Sequence, residues 1–551
     1  MRSSRALRGA VFGVLIARPL VAQQPAPVPP AAPSQAGASR HPAHPPAGGS
    51  RGAPRLGTID FPTSGPAAAE AEFLKGVLYL HSFEYQSALG AFQSAESLAP
   101  GFAMAYWGEA MTLNHGVWNE QDAASARRAL LRLGPTAWAR RDKAPTPREQ
   151  GYLDAVEALY GEGSKPRRDT LYALAMERVV RENPADLEAK AFYALALLGL
   201  NQGVRDTATY LRAAPYADTV FKANPDHPGA AHYLIHAYDD PIHASLGLAA
   251  ARAYARIAPD APHAQHMTTH IFMAMGMWDD VVAQNEIAVG LTAEVPGHYT
   301  SWLLYGLLQQ GRYSAAGELL ERVRGNLAAG GSRGQYGPLV DMRAQFLLHS
   351  EDWRSPVLRW RPSRDSLSAE AALTFAYTNG VIAWRRHDTE ALLAAAEETA
   401  RLAERVRAAR EPRDPAAMAG DVMTRELGAM VLFLSDRREE AVRRMREAAT
   451  IEDARPMEFG PPAIVEPSHE VLGTMLLEMR PEEARREFER ALVLAPGRSR
   501  ALIGLVRAAV AVGDKPEATR AMDRLQTNWR RADPRVRDAV EPLSRLVLRM
   551  P

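Results

Sequence analysis

The chain has 551 residues and a mass of 60.2 kDa, which exceeds the size of one compact core. Hydrophobic residues make up 46% of the chain and charged residues 23%, which are ordinary values for a globular protein. The 65 Lys and Arg residues nearly balance 64 Asp and Glu, which argues against a nucleic-acid partner because no excess of cations displaces phosphate counterions. Cysteine is absent, which excludes disulfides, thiolate metal sites and cysteine nucleophiles, so a bound metal would need His, Asp or Glu ligands.

The amino terminus is typical of an exported protein. Basic Arg2, Arg5 and Arg8 open a segment with a short apolar run over residues 9–17 and small Ala22 as a cleavage point, so residues 1–22 are predicted to be a signal peptide. We expect a periplasmic or secreted protein; a leader that remains in the cytoplasm is the alternative. No segment is long enough to cross a bilayer, and we therefore expect no membrane span. Residues 23–66 hold 11 of the 40 prolines and predict a disordered linker rich in Pro, Ala and Gly.

From residue 67 onward the apolar residues follow helical spacing and recur. Ala88, Phe92 and Ala95 share one helix face, and Pro100 ends that helix. The same spacing returns near the other end of the chain, at Ala484, Phe488, Ala491 and Pro496. Helix–turn–helix units of about 34 residues with this pattern look like tetratricopeptide repeats. We therefore predict an all-α fold, an α-solenoid with N-terminal repeats over 67–325 and C-terminal repeats over 326–551.

Histidine is concentrated in a block over residues 227–298. Seven of the 15 histidines lie in residues 227–270 alone. His232 and His236 share a helix face with Asp239, and the next predicted helix carries a second stripe at spacings of three and four. Counted within the repeat, both stripes point into the concave groove. The candidate metal ligands are His232, His236, Asp239, His263, His266 and His270.

These residues suit a divalent transition metal such as zinc, copper or iron, because neutral imidazoles four apart on a helix can share one ion, and an Asp can orient a histidine. The stripes lack the general-base glutamate of the helical His-Glu-x-x-His zinc pattern. Two alternatives stay open: a polar groove that binds a carboxylate or peptide, and histidines that only satisfy local carbonyls. Further residues expected to line the groove are His81, Glu109, His115, Asp240 and His298.

Beyond the generic repeat, residues 70–550 resemble a group of bacterial tetratricopeptide-repeat proteins of unassigned activity. The resemblance rests on LHSFEYQSALGAF, AYWGEAM, HPGAAHYLIHAYDDP, APHAQHMTTHIF followed by GMW, and FGPPAIVEPSHEVLG. Thr268 and Thr269 depart from the Pro-Ser pair expected after Met267. The resemblance implies the repeat architecture and a groove built around the histidines, but no reaction.

Two classes of function follow. Most tetratricopeptide arrays bind proteins, so the first expectation is an exported scaffold that holds a protein or peptide partner in a histidine-lined groove. The alternative is a metal-binding protein or a metal-dependent, hydrolytic enzyme that uses the histidines of two adjacent repeats. The chain has no phosphate-binding glycine loop and no Ser–His–Asp order that stands out, so a binding role is favoured and no catalytic residue is identified.

Overall fold

The small residues that recur in the sequence allow successive helices to pack closely as antiparallel pairs. A Cβ atom at Gly76 would lie 2.7 Å from the Phe92 ring, so this helix crossing requires glycine. The structure, a computed structural model, describes residues 53–202 and 205–551. The predicted α-solenoid of tetratricopeptide-type helix pairs is confirmed.

The helices of the first part of the described chain are α1 (Ala67–His81), α2 (Tyr85–Leu98), α3 (Ala103–Met111), α4 (Ala123–Leu133), α5 (Ala137–Arg141), α6 (Pro147–Leu159), α7 (Lys165–Glu182), α8 (Leu187–Leu198), α9 (Thr207–Ala223), α10 (Pro228–Tyr238), α11 (Ala244–Ile257), α12 (Pro262–Ala274) and α13 (Trp278–Gly290). Two short antiparallel strands, β1 (Asn114–His115) and β2 (Glu120–Gln121), follow α3.

The remaining helices are α14 (His298–Gln309), α15 (Tyr313–Gly330), α16 (Tyr336–Ser350), α17 (Ala369–Arg385), α18 (Thr389–Ala408), α19 (Pro415–Leu434), α20 (Arg438–Asp453), α21 (Ser468–Leu476), α22 (Pro481–Leu494), α23 (Ser499–Val512), α24 (Lys515–Asn528) and α25 (Pro534–Arg549). Short 3-10 turns lie at Gly116–Trp118, Gly199–Asn201, Arg333–Gln335, Pro356–Arg359 and Arg364–Ser366. None of the described helices is both long and apolar enough to cross a membrane.

The turn inside several helix pairs uses one residue in the left-handed backbone conformation. Glycine occupies this place at Gly276 and Gly311, with φ of 70° and 67°. Phe83, His387 and Asp436 occupy it in other pairs, with φ of 55°, 56° and 58°. A side chain in this conformation costs about 1–2 kcal/mol, so the repeat geometry is imposed by helix packing even where the sequence has no glycine.

The end of the predicted linker packs against the repeats. Leu56 and Phe61 are both 2% exposed, and Phe61 packs on Trp107 and Tyr152 in the N-terminal core. The N–H of Thr58 donates to a backbone carbonyl just before α10 at 3.0 Å. Residues 53–66 are therefore ordered, in contrast to the predicted disorder, because their apolar side chains find partners among distant helices. The predicted signal peptide 1–22 and linker residues 23–52 lie outside the described residues.

The superhelix folds back on itself early in the chain. Helix α1 packs across the array on α10, and the two are joined by His232 Nδ1, which lies 2.7 Å from the backbone oxygen of His81. Residues that a shallow solenoid would expose in its groove are therefore covered.

A second closure joins the middle of the chain to its end. Trp278 at the start of α13 donates its indole N–H to the carbonyl of Gly497 at 2.9 Å. The side chain of Gln309 accepts from the N–H of Ser499, also at 2.9 Å. The described residues form two hydrophobic cores that meet within α13 and α14. The predicted boundary after residue 325 instead falls inside α15.

Candidate metal centre

The histidine stripes lie on α10 and α12, and α14 adds one more histidine. Helix α10 is capped by His227, whose Nδ1 accepts from the N–H of Ala230 at 3.1 Å. Near the start of α12 the N–H of His263 donates to Glu84 of the α1–α2 turn, also at 3.1 Å. Both helices have proline at their first position. These contacts fix where each helix begins and hence which way its histidines point.

One group of three histidines joins α12 to α14. His266 and His270 lie one turn apart on α12, and His298 is the first residue of α14; their ligand atoms lie within 4.8 Å of one another. We call these residues the C-terminal triad. The Nε2 atoms of His266 and His270 are 3.2 Å apart. Nitrogens that bind one tetrahedral zinc at about 2.0–2.1 Å lie about 3.3–3.4 Å apart, so the spacing suits a shared ion.

Hydrogen bonds determine which ring nitrogen faces this position. His270 Nδ1 lies 2.5 Å from Asp239 Oδ2, and His266 Nδ1 lies 2.8 Å from Asn285 Oδ1. The amide of Asn285 is itself oriented because its Nδ2 donates to the carbonyl of Val281 at 2.9 Å. Both acceptors are oxygen, so each Nδ1 carries the proton and each Nε2 presents a lone pair. Two lone pairs at this distance repel each other unless a metal ion or a shared proton lies between them.

A second group of three histidines lies beside the first. His232 and His236 of α10 and His263 of α12 also place their ligand atoms within 4.8 Å of one another, and we call them the N-terminal triad. The backbone oxygen of His81 accepts from His232 Nδ1, which leaves Nε2 as a lone pair 3.3 Å from His263 Nε2. Neither ring nitrogen of His236 has a hydrogen-bond partner within the part of the chain that the structure describes.

Burial favours the neutral form of two histidines of the N-terminal triad. His232 is fully buried and His236 is 2% exposed. Burial lowers the pKa of His232 to about 3 and lowers the pKa of His236 well below its usual range. Neutral imidazole is the form that binds metal ions. The five histidines of the two predicted stripes are buried rather than open to a peptide, whereas His298 is half-buried.

Aromatic rings enclose the two triads. The ring of Phe83, in the α1–α2 turn, lies 4.2 Å from the ring of His232. Trp302 of α14 lies 4.3 Å from His270, and Phe459 of the segment before α21 lies 5.7 Å from His270. All three distances are measured between ring centroids. The enclosure lowers the local dielectric and limits the access of water.

A third group, of His81, Glu188 and His227, is already satisfied by hydrogen bonds. The Glu188 carboxylate lies 2.8 Å from His81 Nε2 and 3.0 Å from His227 Nε2. The other ring nitrogen of His81 lies 2.9 Å from the hydroxyl of Tyr233. Burial opposes the charge of Glu188, but His227 and His81 outweigh it and lower the pKa of the carboxyl to about 2. The network fixes the end of α1, and with it the carbonyl of His81 that orients the N-terminal triad.

Several other residues predicted for the site have different partners in the structure. Asp239 orients His270 rather than facing the shared position, and Asp240 forms a buried ion pair with Arg205 at 3.0 Å. Glu109 of α3 pairs instead with Arg132 of α4. His115, in β1, is half-buried and stacks on an aromatic ring of α2. Thus His298, predicted only to line the groove, joins a triad, and Glu109 does not.

Three residues of the centre were missed by sequence reasoning. Asn285 carries a signal, because it is a polar residue on the buried stripe of α13 that contains Val281 and Ala288. Phe83 and Phe459 carry none, because they reach the centre through contacts between elements distant in the chain.

Comparisons with known proteins give similarity in helical architecture alone. No protein-family model matches the chain, and no curated protein matches it. Among solved structures, a human IFIT1 dimer with m7Gppp-AAAA is 13% identical over 85% of this chain and 90% of that chain, with a TM-score of 0.32. Yeast Tom70 is 13% identical over 87% of this chain and 95% of that chain, with a TM-score of 0.28. The resemblance to a bacterial group stays a prediction.

Proposed function

We propose that this protein binds a transition-metal ion at the C-terminal triad. The observation that carries the proposal is the pair of Nε2 atoms of His266 and His270, which face each other at 3.2 Å while both Nδ1 atoms are bonded to oxygen. His298 supplies the third nitrogen. An all-imidazole set suits zinc, copper or iron(II) rather than magnesium or calcium, which prefer oxygen ligands.

The partners of the ligands also support a metal. Metal-bound histidine usually donates its other N–H to a carboxylate or carbonyl, which fixes the ring and increases its basicity. Asp239 and Asn285 have these positions behind His270 and His266. Three protein ligands leave a coordination position for a ligand from solution, as in catalytic rather than structural zinc sites.

Burial favours this role over the peptide scaffold that the sequence suggested. A peptide held by direct contacts would need the histidines at a surface, yet His266 is fully buried and His270 is 4% exposed. The Nε2 atoms of these two buried imidazoles face each other at 3.2 Å and have lost their contact with water, which costs folding free energy. A metal ion recovers that cost through ligand bonds.

The test is metal content of the full chain, purified without a histidine tag and reconstituted with Zn²⁺. The double variant His266→Gln, His270→Gln removes the facing nitrogens and is expected to hold one ion fewer per chain than the wild type. His349→Gln is the matched control, since His349 is also buried but has both nitrogens bonded, to Gln345 and Gln309. It is expected to retain the full content.

The proposal fails if the wild type holds no tightly bound Zn²⁺ after reconstitution, or if the double variant holds as much as the wild type. Circular dichroism of each variant shows whether the helical array is intact, so that loss of metal is not confused with loss of fold.

A further inference from the structure

We propose that a second transition-metal ion binds in the N-terminal triad, so that α10, α12 and α14 carry two neighbouring ions of the same chemical class. This inference rests on the proposed function, because it assumes that the equivalent C-terminal triad binds the first ion. It goes further in stating that each triad is a separate site, and that the two lie side by side in adjacent repeats.

The first support is that the two triads have the same construction. In each, two histidines four apart on one helix are joined by a histidine from the start of the next helix that packs beside it. His263 is the second residue of α12, and His298 is the first residue of α14. Because the repeat places equivalent residues at equivalent positions, a geometry that suits one ion recurs one repeat earlier.

The second support is the state of His236. Its side chain is 2% exposed, and neither nitrogen has a hydrogen-bond partner among residues 53–202 and 205–551. A buried polar group without a partner is rare in native proteins and calls for an explanation such as an ion. His236 shares its triad with His232 and His263, whose Nε2 atoms are 3.3 Å apart, so it lies where a third ligand would be needed.

The third support is that His232 is held in the orientation of a ligand. Its Nδ1 donates to the backbone oxygen of His81, so its Nε2 acts as an acceptor, which can take a hydrogen bond from His263 Nε2 or bind a metal ion. The same hydrogen-bonded network of His81 and Glu188 fixes that oxygen in place. This arrangement is a backbone equivalent of the carboxylate that orients His270 in the other triad.

The two sites are close enough to act as one unit. The rings of His236 and His270 lie 6.3 Å apart between centroids, and so do the rings of His263 and His266. Asp239 and Glu84 bring carboxyl groups to the edge of the pair, at His270 and His263 respectively.

Arg205 is the cation beside this region. It donates to the backbone oxygen of His236 at 3.3 Å and is paired with Asp240. Asp240 balances this charge in part, and the Arg205 guanidinium still acts electrostatically on His236.

The experiment is titration of the chelator-treated full chain with Zn²⁺ alone, with bound metal measured after gel filtration. The wild type is expected to bind two equivalents, His236→Gln one and His270→Gln one, and a variant that combines His236→Gln with His270→Gln none. His263→Gln serves as a second test of the N-terminal triad in case His236→Gln does not fold. His349→Gln, the control outside both triads, is expected to bind two.

The outcomes separate this inference from the proposed function. One equivalent in the wild type that persists in His236→Gln and disappears in His270→Gln supports the C-terminal site and overturns the second ion. One equivalent that disappears in both variants indicates a single shared ion and also overturns it. No binding by the wild type overturns both.

Discussion

The imidazole of His236 has surroundings unlike those of an ordinary core residue. It lies in the interior with both nitrogens unpaired within the described chain, while Phe83 and Phe459 place their rings near it. An unsatisfied buried polar group costs about 1–3 kcal/mol of folding free energy. Such a cost is tolerated where the group serves binding rather than stability.

This cost predicts a reversal of stability in the variant His236→Leu. With a strong chelator present, the free energy of unfolding is expected to increase by about 1–2 kcal/mol, because an apolar side chain removes the unpaired nitrogens. With saturating Zn²⁺, the wild type is expected to be the more stable, since a ligand at a hundred times its Kd adds about 2.7 kcal/mol. Thermal unfolding under both conditions measures the difference.

The control for this reversal is His349→Leu, in which two satisfied hydrogen bonds are lost. It is expected to lower the melting temperature with and without Zn²⁺. A His236→Leu protein that is less stable than the wild type in chelator would show that His236 has a structural partner and would contradict the account.

At the scale of single residues, the sequence predicts the histidine stripes of α10 and α12 but not the side chains and carbonyls that contact them. Spacings of three and four place His232, His236, His266 and His270 on helix faces whatever the tertiary structure. That His298 joins His266 depends on how α14 packs beside α12, and the carbonyl of His81 reaches His232 only because α1 crosses to α10. Such contacts have no periodic signature in the chain.

At the scale of elements, the left-handed turn residue connects repeat geometry with long-range packing. Gly276 has φ of 70°, and a Cβ there would lie 2.5 Å from the carbonyl oxygen of Pro496. Gly513 has φ of 80° in an equivalent turn, but a Cβ there would meet nothing within 4 Å. A comparison of the two positions therefore distinguishes the effect of backbone strain on stability from the effect of the contact between the α12–α13 turn and Pro496.

Gly276→Ala is accordingly expected to destabilise the protein more than Gly513→Ala. Both substitutions introduce backbone strain of about 1–2 kcal/mol, and the first in addition displaces the backbone at Pro496. Melting temperatures of the two variants, compared with the wild type, provide the measurement. Equal losses would show that the contact between the α12–α13 turn and residue 496 contributes nothing to stability.

The repeat pattern predicts the helix pairs correctly because each pair is a local structure. Ala88, Phe92 and Ala95 lie buried on one face of α2, as their spacing requires. The ordered segment 53–66 was not predicted, because its prolines dominate the local composition while Leu56 and Phe61 are buried only by helices far along the chain. The sequence pattern thus predicts the local helix pairs, but it does not predict which distant helices bury a segment.

In the whole molecule, two long-range contacts bury residues that an open repeat array would expose in its groove. Helix α1 packs on α10, and the chain near Gly497 packs on α13. The segment before α21, which contributed to the family resemblance, places Phe459 against His270 from the far end of the array. The histidines thereby leave the surface that a repeat protein usually offers to peptides, and become a buried polyimidazole centre suited to metal ions.

The central claim, that the triads bind metal, is tested most directly by anomalous X-ray diffraction from crystals of the untagged, Zn²⁺-reconstituted chain, with data on both sides of the zinc absorption edge. We predict anomalous peaks about 2.0–2.1 Å from the Nε2 atoms of His266 and His270, and a separate peak between His232, His236 and His263. Zinc peaks elsewhere on the protein, with none at either triad, would contradict the account.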